Sequence, residues 1–141
     1  MFKEITMSFK KICEEKGIDI NKAFDLVLGE GGGILPTKTA FTGYFTEITD
    51  TSIICENTKL KAKAEIPFSS FKSAEFGIGS GHLWLQCVVD GAPFIFTTLR
   101  GNWKKPSAKL LLEKIGQYAE IEGMKEYKGY TGWKFIFYLF K

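Results

Sequence analysis

The chain has 141 residues, 45% of them hydrophobic and 25% charged, with a net charge of +3. That suffices for one domain with a real core and excludes a disordered polar chain. Its three cysteines, Cys13, Cys55 and Cys87, are odd in number and far apart, which argues against a disulfide framework and for reduced thiols in a cytoplasm.

Phe2, Ile5, Phe9, Ile12 and Cys13 mark one face of a first helix, ending near Gly17. No secretory leader pattern is read in Met1 to Lys16. Asp19 can cap a second short element, Ile20 to Leu28, stopped by Gly29. It is read as helix, with a strand over Phe24 to Leu28 equally open. Gly29-Glu30-Gly31-Gly32-Gly33 is a flexible joint. It lacks the Lys-Ser or Lys-Thr that closes a phosphate-binding loop.

From Thr37 the chain reads as β. Thr39 to Ile48 is a long strand with a break at Gly43 left open, followed by a turn at Thr49-Asp50-Thr51. Ser52 to Glu56 follows, then a turn at Asn57-Thr58. In Leu60 to Ile66, Leu60, Ala62, Ala64 and Ile66 alternate with Lys61, Lys63 and Glu65, so one face is wet. Pro67 interrupts, and Ser70 to Phe76 resumes. Residues 77–81 read as a loop.

Asp90-Gly91 is the pivot of the next hairpin, because both residues tolerate the positive φ of a type I′ turn. Val89 then faces Ala92, Cys87 faces Phe94, Leu85 faces Phe96, and Leu83 faces Thr98. That face is almost wholly apolar, while His82, Trp84, Gln86 and Val88 share the other. Pro93 lacks an N–H, so its strand should lie at an edge or opening near that point. Beyond Gly101, Ala108, Leu111, Leu112, Ile115 and Ala119 recur at helical spacing, with Pro106 in the first turn and Asn102 or Lys105 near the cap. Such a stripe is expected to plug the open end of a sheet.

The last third is basic and aromatic. From Arg100 onward there are nine basic residues against four acidic ones. Trp133 to Phe140 is apolar on both faces if it is a strand, so it should be buried on its own domain or against another chain. It is too short to cross a membrane, which needs roughly 20 apolar residues.

Catalytic constellations are not found. His82 is the lone histidine, and Cys87, five residues along the same strand, points to the opposite face. The cysteines lack zinc spacing. Glu120 and Glu122 lie about 200° apart if helical and do not converge. An enzyme, a metal and a cofactor are therefore not expected. Lys104-Lys105 beside Trp103 is too little to imply nucleic-acid binding.

Several stretches together are similar to a known family: Gly43-Tyr44-Phe45-Thr46-Glu47-Ile48-Thr49 leading into Ile53-Ile54-Cys55, then Ile66-Pro67-Phe68-Ser69-Ser70-Phe71-Lys72-Ser73, the Asp90-Gly91 hairpin and the helix after it. Over about residues 38–118 the chain resembles the pleckstrin-homology-like (PH-like) superfold, especially its GRAM-like and bacterial versions. The resemblance implies an α+β fold: a strongly bent antiparallel β-barrel or sandwich capped by a C-terminal helix. It also implies binding of lipids, peptides or proteins rather than catalysis. Phosphoinositide-binding members carry several bases around the first strand pair. Here the matching turn, Thr49-Asp50-Thr51-Ser52, has none, and inositide specificity is not expected.

The organisation expected is an N-terminal helical extension and joint over 1–33, the barrel with its helix over 34–120, and an apolar tail over 121–141 forming a short strand. The expected function is a noncatalytic cytoplasmic module that binds a partner protein or itself, with peripheral binding to an anionic membrane as the alternative. The candidate contact residues are Trp103, Lys104, Lys105, Trp133, Lys134, Phe135 and Phe137.

Overall fold

A computed structural model describes residues 9–28, 42–79 and 81–139. Helix α1 (Phe9–Lys16) precedes β1 (Ala23–Leu28), β2 (Thr42–Ile48), β3 (Ser52–Asn57), β4 (Ala62–Pro67), β5 (Phe71–Gly79), β6 (His82–Val89) and β7 (Ala92–Thr97). A single turn, α2 (Arg100–Trp103), leads to α3 (Pro106–Gly116), the two-residue β8 (Ile121–Glu122), α4 (Met124–Thr131) and a 3-10 helix, Trp133–Tyr138. One eight-stranded sheet runs in the order β4-β3-β2-β1-β7-β6-β5-β8. It is antiparallel throughout except for β5 beside β8. The fold is α+β, with a mixed sheet. No described helix is long and apolar enough to cross a membrane.

The hairpin expected at Asp90-Gly91 is present. Both residues take positive φ, 51° and 80°. Val89 pairs with Ala92, Cys87 with Phe94 and Leu85 with Phe96. The ladder stops one pair short of Leu83 and Thr98. The Thr97 hydroxyl instead donates to the Leu83 carbonyl at 2.6 Å. Pro93 sits where β7 has only β6 beside it, since the described β1 residues pair with Phe96 and Thr97 alone.

The inner residues Leu83, Leu85, Cys87, Val89, Phe94 and Phe96 are buried. The stripe on α3, including Ala108, Leu111, Leu112 and Ile115, is buried in the same core. Lys105 is its N-cap and Pro106 its first residue. At the centre stands Trp103, ringed by Phe24, Phe76, Phe96 and Tyr127 at centroid distances of 5.4 to 6.2 Å.

Two alternatives left open by the sequence are decided, and two expectations change. Ile20–Lys22 is only a 3-10 turn capped by Asp19, and Ala23–Leu28 is a strand, not helix. From Phe24 to Leu26 buried and exposed residues alternate, after a buried Ala23 at the strand's start, and pairing with β2 runs the length of the segment. Gly43 does not break β2. Residues 77–79 are not loop but the end of β5, where Gly79 pairs with His82. Within the tail, Ile121–Glu122 is a short strand, but Trp133–Tyr138 is not. In the 3-10 helix Phe135 and Tyr138, three apart, share the side packed on the core, as three residues per turn requires. The glycine joint expected over residues 29–33 and the expected helical positions Phe2 and Ile5 lie outside the described residues.

Candidate docking surface

Arg100 fastens the C-terminal hairpin formed by α4 and the 3-10 helix. Its Nε donates to the Tyr130 carbonyl at 3.0 Å and its Nη2 to the Gly132 carbonyl at 2.8 Å. These are carbonyls a helix end leaves without an internal partner. The guanidinium also lies over the Phe135 ring, 3.5 Å from its centroid. Two tyrosines anchor α4 from below. Tyr127 Oη donates to the Trp103 carbonyl at 2.7 Å, and Tyr130 Oη to the Gly81 carbonyl at 2.6 Å. Gly123 makes the entry turn at φ 77°. A Cβ there would meet the Phe76 carbonyl oxygen at 2.8 Å. Gly129 lets the Tyr138 ring approach α4, where a Cβ would stand 2.8 Å from it.

The outside of this hairpin is apolar and unsealed. Trp133 is 74% exposed, Phe137 65%, Ile136 50% and Leu139 45%. The Trp133 and Phe137 rings lie 6.4 Å apart. Lys125, Lys128 and Lys134 line a cleft of about 520 Å³ beside Trp133 and Tyr138.

The structure thus brings Trp133, Lys134 and Phe137 together. Phe135 is half-buried under Arg100 instead of offered to a partner. Trp103 is overturned as a contact residue: it is 0% exposed, because four aromatic rings close around it. Lys104 is exposed. Lys105 is engaged elsewhere, its Nζ 5.5 Å from the Phe9 ring centroid on α1.

A second surface escaped the sequence reading. Helix α3 ends at Gly116, Glu122 lies in β8, and Glu120 directly precedes that strand. Residues two apart on extended chain face one side, and both line a cleft of about 280 Å³ with Glu75. Its floor includes Val88, Pro93 and Ile95, from the outer face of the hairpin, and no basic residue lines it. The two glutamates therefore converge, against the expectation of about 200° separation. The alternation in Glu120-Ile121-Glu122 was the available signal.

The thiols are free and buried. Burial pushes Cys87 up to about 12 and Cys55 up to about 11; the Thr46 hydroxyl, donating to Cys55 Sγ at 3.5 Å, opposes the latter shift. Thiols held so high are poor nucleophiles. His82 is exposed at a strand end. Among the described residues, no three His, Cys, Asp or Glu side chains group as metal ligands.

No family model matches the chain, and no curated protein matches it in sequence.

Proposed function

We propose that this chain is a noncatalytic, PH-like binding module, and that its C-terminal hairpin docks on protein, either a partner or another copy. The observation that carries this is the exposure of Trp133, Ile136, Phe137 and Leu139 on a segment whose backbone Arg100 holds in place. A rigid aromatic anchor loses little entropy on binding, and contiguous exposed apolar surface of this kind marks interaction sites. The PH-like reading is supported by strands β1–β4 and β5–β7 running antiparallel in chain order, and by α3 burying its stripe in their common core. The buried free thiols suit a reducing, cytoplasmic setting.

Light scattering over a concentration series tests the self-association half. Mass should rise above 15.9 kDa with concentration. Trp133→Ala with Phe137→Ala should abolish the rise. A wild type that stays monomeric, and whose hairpin is neither protected nor cross-linked in cell extract, refutes the proposal.

Lys125, Lys128 and Lys134 around the patch favour a second reading, an anionic membrane surface. Near such a surface each lysine contributes about 1 kcal/mol. Flotation with anionic vesicles at low salt, lost in high salt, would support it.

A further inference from the structure

We infer that the acidic sheet cleft of one molecule receives the C-terminal hairpin of another, joining two copies head to tail. This rests on the reading of the hairpin as a protein-docking surface and names its acceptor.

The two surfaces match in kind. The hairpin presents Trp133 and Phe137 beside Lys125, Lys128 and Lys134. The cleft presents Val88, Pro93 and Ile95 beside Glu75, Glu120 and Glu122. Each is an apolar centre rimmed by charge of one sign, and the signs are opposite. Among the described residues none of these three lysines pairs with a carboxylate, and none of these three glutamates pairs with a cation; the ion pair found there is Lys16–Glu56. Docking the two would pair both rims around a desolvated aromatic centre, the arrangement that gives an interface orientation as well as affinity.

A molecule cannot satisfy itself this way. Its hairpin is tied to the β5–β6 turn, where Tyr130 Oη bonds Gly81 and Leu139 lies 3.7 Å from the position of a Gly81 Cβ. The cleft opens around Glu75 and Val88, toward the far end of the same strands. From Gly81 to Val88 the strand rises about 20 Å. The two rims adjoin on one chain at Glu122 and Lys125, three residues apart. The apolar centre around Val88 and Pro93, however, lies toward the strand end away from the Gly81 turn that holds the hairpin, so the two apolar centres meet only between chains, in a heterologous contact.

Complementation tests this. One variant carries Trp133→Ala and Phe137→Ala, and keeps its cleft. A second carries Glu75→Lys, Glu120→Lys and Glu122→Lys, and keeps its hairpin. Each alone should self-associate about thirtyfold more weakly than wild type, the loss expected from truncating a central anchor or reversing its rim. Mixed in equal amounts, they should regain a species of twice the monomer mass, because one supplies the hairpin and the other the cleft. Regaining it also shows that both are folded. If the triple variant does not fold, Glu120→Gln with Glu122→Gln replaces it in the same mixture. A mixture that stays monomeric while wild type associates overturns the head-to-tail contact and leaves the hairpin reading standing. A wild type whose mass ignores concentration overturns the contact too. Vesicle flotation without self-association then assigns the lysines to lipid.

Discussion

Replacing Arg100 by lysine keeps the charge and removes the fork. The guanidinium makes two charge-assisted hydrogen bonds, to Tyr130 and Gly132, and covers the Phe135 ring. Arg100 is half-buried, so each bond is taken at about 1 kcal/mol, below the 1.5–3 kcal/mol of fully desolvated ones. The ring contact adds about 1 kcal/mol. Alanine should lose all of this, about 3 kcal/mol. Lysine should lose about 2 kcal/mol, because an ammonium can reach one carbonyl but cannot stack flat. The loss should be local. Arg100's contacts reach only the hairpin, at Tyr130, Gly132 and Phe135, so the hairpin opens while the sheet stays closed. At 1.4 kcal/mol per tenfold, the opening equilibrium rises by roughly 30-fold for lysine and on the order of 100-fold for alanine. Hydrogen exchange read by mass spectrometry on residues 124–139 should show that rise, with peptides from β6 and β7 unchanged. Unchanged exchange over 124–139 would refute the reasoning. So would an equal rise across the sheet, which would make Arg100 a support of the whole fold.

Other consequences are as direct. Gly123→Ala places a Cβ 2.8 Å from the Phe76 carbonyl oxygen at φ 77°, and should cost about 2 kcal/mol in urea unfolding. Trp103→Ala empties the centre of five packed aromatics and should cost about 3–5 kcal/mol, read in the same assay. Cys55 is held up at about 11 from an ordinary 9.0, so its contribution is whole below pH 9.0. It is lost as pH rises from 9.0 through about 11, because the unfolded chain releases the proton first. Cys55→Ala should flatten the fall in stability over that window, and a thiol reagent at neutral pH should label Cys55 and Cys87 only after unfolding. Lys16 lies 2.7 Å from Glu56 and, chiefly through that hydrogen bond, holds its carboxyl below the usual range. The pair is about a third exposed, so Lys16→Ala should cost under about 1 kcal/mol. That small benefit is lost as pH falls through the lowered Glu56 value, and an NMR titration of Glu56 should show it return upward.

Local chemistry wrote much of this fold into the chain. Asp90-Gly91 accepts positive φ, and the alternation on either arm admits one register, so the pairing of Cys87 with Phe94 is readable from order alone. The stripe from Ala108 to Ile115 repeats at 3.6 residues, and Pro106 marks its start. Trp103 is different. Its neighbours Asn102, Lys104 and Lys105 suggest surface, and only the convergence of Phe24, Phe76, Phe96 and Tyr127 from distant elements buries it. The same holds for residues 23–28, which become a strand because β2 and β7 offer backbone partners. Glu120 and Glu122 share a cleft because the chain beside β5 is extended. The tail reads as apolar on every side, and which rings turn outward depends on where Arg100 and the core hold Phe135 and Tyr138. Periodicity and turn residues act over a few bonds and are fixed by the sequence itself. Burial, pairing and the meeting of charges act across the chain, and their free energies exist only once distant segments are in contact.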